Sequence, residues 1–100
     1  MNDIQWLENW YRSQCDGDWE HCYGVRISTL DNPGWAVQIN LNETPLFGEP
    51  FDTINIDNGD DDWIICRIRD GYFEGNGDPN KLEKIISIFR HWVEDTERRF

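Results

Sequence analysis

The chain has 100 residues, 38% hydrophobic and 14% aromatic, with six Trp. That is enough apolar material for one core and too aromatic for a disordered chain, so a single domain over residues 1–100 is expected. Twenty acids against nine Lys and Arg give a net charge of -11, which argues against nucleic acid and anionic membranes as partners and favours a basic protein.

Asn2 and Gln5 have the spacing of a capping box. Trp6, Leu7, Trp10 and Tyr11 then fall on one side of a helix, which predicts a first helix over 3–14. It runs into the chemically densest loop of the chain, Gln14 to Gly24, which holds Cys15, Asp16, Asp18, Trp19, Glu20, His21 and Cys22. Trp19, flanked by two acids, is either a hydrophobic anchor in an acidic rim or a plug that seals the sheet's edge. His21 and Cys22 are expected at the start of a strand.

Tyr23, Val25 and Ile27 alternate with polar or small residues and predict a first strand. Asp31-Asn32-Pro33-Gly34 is a turn, and the alternation from Trp35 to Leu41 predicts a second strand hairpinned to the first. Pro45, Gly48 and Pro50 mark a loop over 42–50. Thr53 to Ile56 reads as a third strand, and Asp57 to Asp62 as an acidic hairpin tip. Trp63 to Arg69 is more continuously apolar and is expected near the sheet's centre. Asp70-Gly71 is a tight-turn signal before a fifth strand over 72–75. Asp78-Pro79 has the form of an N-cap and first helical residue. Leu82, Ile85, Ile86, Phe89, Trp92 and Val93 then predict a helix over about 79–97. The expected fold is α+β: an antiparallel meander of about five strands flanked by an N-terminal and a C-terminal helix.

Three cysteines are an odd number, which argues against a closed disulfide framework. The longest apolar run, Trp63 to Cys66, is four residues. With no basic leader-like segment, a cytoplasmic protein with reduced thiols is expected. Cys15, His21, Cys22 and Cys66 carry atoms suited to zinc, but no two of the cysteines form a short knuckle. No metal or other cofactor is expected. Cys22 and Cys66 are expected as small buried hydrophobes, and Cys15 as a loop thiol. A thiol nucleophile would need His21 or His91 beside Cys15 or Cys66, and no nucleophile motif is present. The run Asp57 to Asp62 lacks the glycine and glutamate positions of a calcium loop. Gly71, Gly75 and Gly77 are assigned to a turn and a strand end.

Charge is unevenly distributed. Between Arg26 and Arg67 lie eight acids and no Lys or Arg. The acids most suited to meet a basic partner are Asp16, Asp18 and Glu20 in the first loop, beside Trp19, and Asp60, Asp61 and Asp62 at the hairpin tip.

The runs Trp6-Leu7, Trp10-Tyr11, Gln14 to His21, Tyr23-Gly24, Thr29 to Trp35, Asp61 to Trp63 and Phe73 to Pro79 resemble the immunity protein 53 family. The resemblance extends through Phe89 and Trp92. It implies a bacterial immunity protein of a polymorphic toxin system, one that binds and neutralises a cognate toxin, and it supplies no catalytic residue to carry over; occlusion without catalysis is the expected mode. Two other readings stay open: a small enzyme using Cys15 or Cys66, and a metal-stabilised binding module.

Overall fold

A computed structural model describes residues 1–99. In chain order the elements are α1 (Asp3–Gln14), α2 (Trp19–Cys22), β1 (Val25–Leu30), β2 (Gly34–Asn40), β3 (Ile54–Asp57), β4 (Trp63–Arg69), β5 (Tyr72–Gly77) and α3 (Leu82–Arg98). The Asn2 side chain caps α1 by accepting from Gln5 N at 2.8 Å, as the capping spacing requires.

The five strands form one antiparallel sheet in the order β1-β2-β5-β4-β3. Consecutive strands pair in three of the four cases. The exception is the step from β2 to β3. The chain crosses from β2 to the far edge and returns through β4 and β5, so β5 enters between β4 and β2. The sheet is therefore a two-stranded hairpin and a three-stranded meander joined through β2–β5, and strand order departs from a simple meander at that one step. The continuously apolar β4 is interior, but β5 occupies the middle.

One face of the sheet is covered. Val37, Ile39, Ile64, Cys66 and Phe73 alternate onto it, and all are buried. Helix α3 lies across this face against β5, β2 and β4, and α1 packs on α3. Ile85, Ile86, Phe89, Trp92 and Val93 form the buried stripe of α3. Phe89 is the hub. Its ring meets Trp10 at 5.0 Å, Phe73 at 5.1 Å and Trp6 at 5.8 Å, within the range of favourable aromatic pairs. The other face carries Arg26, Gln38, Arg67, Glu74 and Tyr72, with Glu74 paired to Arg67 at 3.1 Å and to Arg69 at 3.3 Å.

The glycines of β5 have a specific function here. A Cβ on Gly75 would overlap Ile85 Cγ2, and one on Gly77 would come within 2.6 Å of Lys81 Cβ. These positions let α3 sit close to the sheet. They mark helix seating, not the strand end assigned from the sequence, and β5 runs two residues further, to Gly77.

The last helix begins at Leu82, not at Pro79. Asp78 does not cap it. Its carboxylate is fully buried and accepts from Trp63 N at 2.9 Å, Asn80 N at 2.8 Å and Lys81 Nζ at 2.6 Å. The residue thus ties the start of β4 to the turn that precedes α3. Among the described residues, no helix is long and apolar enough to cross a membrane.

Truncating the hub is expected to cost about 3–5 kcal/mol for Phe89→Ala, measured by urea unfolding. A loss below about 1 kcal/mol would contradict this placement of α3.

Candidate functional site

The acids singled out from the sequence fall into two groups. The loop with Asp16, Asp18 and Glu20 sits at the end of the sheet where Asn40 N donates to Gly24 O and where Tyr72 pairs with Asn40. The tip with Asp60, Asp61 and Asp62 sits beyond Trp63, at the end where β4, β5 and β2 align Ile64, Gly77 and Trp35. The strands between them are six or seven residues long, so the groups stand about 20 Å apart. The fold does not bring them together.

The first loop is tied from within. Asp16 Oδ1 accepts from Asp18 N at 3.0 Å and Trp19 N at 2.9 Å, starting the single turn of α2. Glu20 folds back to accept from Asp16 N and Gly17 N. Backbone N–H donors lower both carboxyl groups below their usual range, led by Trp19 N–H for Asp16 and by Glu20's own N–H for Glu20. Both side chains are structural as well as charged. Asp18 makes no side-chain hydrogen bond or ion pair among the described residues.

Trp19 is only 2% exposed. Its ring lies against Trp10 at 6.1 Å and Tyr11 at 5.9 Å, and its indole N–H donates to Asn42 O at 3.0 Å. It is the plug, and its side chain is not available as an anchor for a partner. The expectation that His21 and Cys22 begin a strand also gives way. Asp16 organises the segment into a helical turn, which leaves both residues exposed.

At the tip, Asp62 is committed internally. It pairs with Lys81 Nζ at 2.9 Å and accepts from Asn58 at 3.2 Å, and Lys81 and then Asn58 hold its carboxyl below its ordinary value. Lys81 thereby bridges the tip to the buried Asp78. Asp60 and Asp61 are exposed and make no side-chain hydrogen bond or ion pair among the described residues.

The thiols do not form a site. Cys66 is buried, and desolvation pushes its thiol up to about 12, so it stays protonated near neutral pH. Cys22 is exposed, contrary to the expectation of a buried hydrophobe, and Cys15 donates to Tyr11 O at 3.4 Å. His91 is bonded to Ser87 of its own helix. Among the described residues, no three His, Cys, Asp or Glu gather where they could hold a metal ion.

The described acids thus stand at both ends of the sheet, with Asp18, Asp60 and Asp61 turned to the solvent. The family model for immunity protein 53 matches residues 4–94. The chain belongs to that family. No curated protein and no solved structure matches it.

This geometry has two consequences for stability. Trp19→Ala is expected to lower stability by about 3–5 kcal/mol in denaturant titration, because it empties a core site; unchanged stability would contradict its role as a plug. The second concerns acid. Hydrogen bonding to Lys81, supported by Asn80 N and Trp63 N, holds Asp78 down to about 2 from its ordinary 3.8. A lowered carboxyl contributes stability above its unfolded value, and that stability is lost as pH falls through the folded one. Stability is therefore expected to drop between about pH 4 and pH 2. Asp78→Asn, compared by urea unfolding across that range, is expected to flatten the drop; an unchanged slope would contradict it.

Proposed function

We propose that this protein neutralises a bacterial toxin by binding and occluding it stoichiometrically, in the cytoplasm of the producing cell and without catalysis. The match to the immunity protein 53 family over residues 4–94 carries this reading. The distribution of charge supports a basic toxin as the partner. Asp18, Asp60 and Asp61 have no internal ion pair among the described residues, and Asp16, Glu20 and Asp62 stay ionised near neutral pH. A chain with net charge -11 meets a cation-rich surface faster than a neutral one does. Nucleic acid and anionic membranes carry the wrong sign. Trp19 contributes by holding the acidic loop in place.

The test is binding kinetics against the toxin domain encoded beside this gene, with cell survival as the functional readout. Asp60→Lys combined with Asp61→Lys leaves the Asp62–Lys81 bridge intact. It is expected to slow association roughly tenfold at low salt and to change dissociation far less. Added salt is expected to slow the wild-type association in the same direction. If the toxin is neither bound nor neutralised, the immunity reading fails. If it is bound and neutralised but neither charge reversal nor salt alters association, immunity stands and electrostatic steering does not.

A further inference from the structure

The two edges of the sheet are unlike. β3 has four residues and ends in the acids of the tip, which blunts it against pairing. β1 has six, in unbroken register with β2 from Val25↔Ile39 to Leu30↔Gly34, with no bulge or Pro and with Arg26, on the face away from the helices, as its one charge. Gly24 O accepts from Asn40 N at 3.0 Å. Antiparallel pairs alternate between bonded and non-bonded, so Arg26 and Ser28 spend their backbone groups on β2. Val25, Ile27 and Thr29 turn their N–H and C=O groups outward.

Beside that edge runs an apolar groove of about 300 Å³, lined by Ile4, Leu7, Glu8 and Tyr11 of α1 and by Val25 and Ile27 of β1. Ile4 is 47% exposed, Tyr11 39% and Ile27 41%. A strand added to β1 would place every second side chain on the groove side, opposite Val25, Ile27 and Thr29. Glu8 is the one charge in its lining, and the loop that joins α1 to β1, with Asp16, Asp18 and Glu20, runs between its Tyr11 and its Val25 in the chain.

We infer that β1 is the docking edge for an extended strand of the toxin, one with alternating apolar residues for the groove and Lys or Arg where it meets Glu8 and the Asp16–Glu20 loop. This rests on the immunity reading and deepens it. Main-chain hydrogen bonds would supply affinity, and the groove and acids specificity. Charge selects this occupant over a second copy. Two copies paired edge to edge would bring two grooves bearing Glu8 and two acidic loops together, from chains that each carry -11.

The test is amide hydrogen exchange on the wild-type protein, free and bound to the toxin domain encoded beside this gene, with the affinity of Ile27→Lys measured in parallel. The expected result is fast exchange at Val25, Ile27 and Thr29 in the free protein and at least roughly tenfold slowing in the complex. Ile27→Lys, at a half-open position that tolerates substitution, is expected to weaken binding about tenfold or more. Unchanged exchange at these amides in a complex that still neutralises the toxin overturns the docking edge and leaves immunity intact. Protection already present in the free protein, with the mass of a dimer, assigns the edge to a second copy and overturns the inference. If the wild type does not bind the toxin domain, the immunity reading fails and the docking edge fails with it.

Discussion

The seating of α3 on β5 governs the rest of the structure. With hydrogen in place of Cβ at Gly75 and Gly77, Ile85 and the stem of Lys81 come down onto the middle strand. That depth lets Phe89 reach Phe73 on the sheet and still present its ring to Trp6 and Trp10 of α1. Helix α1 then has a surface to pack on, and Trp19 has Trp10 to close against. The crossing from β2 to β3 is held near its two ends by indole donors, Trp19 to Asn42 O and Trp92 to Pro50 O. Each tryptophan buries a large apolar body and satisfies its one polar atom on the backbone of this loop. Both helices thus lie on one face of the sheet, and the opposite face and the β1 edge are left to the solvent.

The acids divide by the same geometry. Asp78 is buried, and it stays ionised because two backbone donors and Lys81 surround it. An unpaired carboxylate there would be costly. Asp16 and Glu20 serve a second time as caps and ties for the α2 turn. Asp18, Asp60 and Asp61 have no such duty, and their charge projects into solvent. The net charge of -11 is thus only partly committed inside the fold, and the uncommitted acids lie at the two ends of the sheet.

Local pattern carried the sequence reading a long way. The α1 boundaries, the α3 stripe, the three hairpins and β4 were legible because helical and strand periods and turn residues act over short distances. The β2–β5 pairing was not legible, because nothing within a hairpin states which distant strand will adjoin it. The start of α3 was misplaced because Asp78 has the residue type of a cap, yet its oxygen is taken by Trp63 N, fifteen positions earlier in the chain. Gly75 and Gly77 resembled strand-end residues until Ile85 and Lys81 showed what stands over them. At the candidate site, the exposure of Asp18, Asp60 and Asp61 could be read from the sequence. The burial of Trp19 and the exposure of Cys22 could not, because both depend on Asp16 winding the loop into a turn. The β1 edge with its groove was missed altogether. Its residues alternate like any strand, and only the sheet order reveals that, among the described residues, no further strand pairs with them.

Inhibition of the kind proposed requires that the protein occupy its toxin one to one. The most direct measurement is a titration of toxin activity with increasing amounts of this protein, followed by mass analysis of the toxin recovered from the complex. With one-to-one occlusion, activity is expected to fall linearly to zero at molar equivalence, and the released toxin to be active and unchanged in mass. Loss of activity at far less than one equivalent, or a toxin of altered mass, would contradict it and return the question to catalysis.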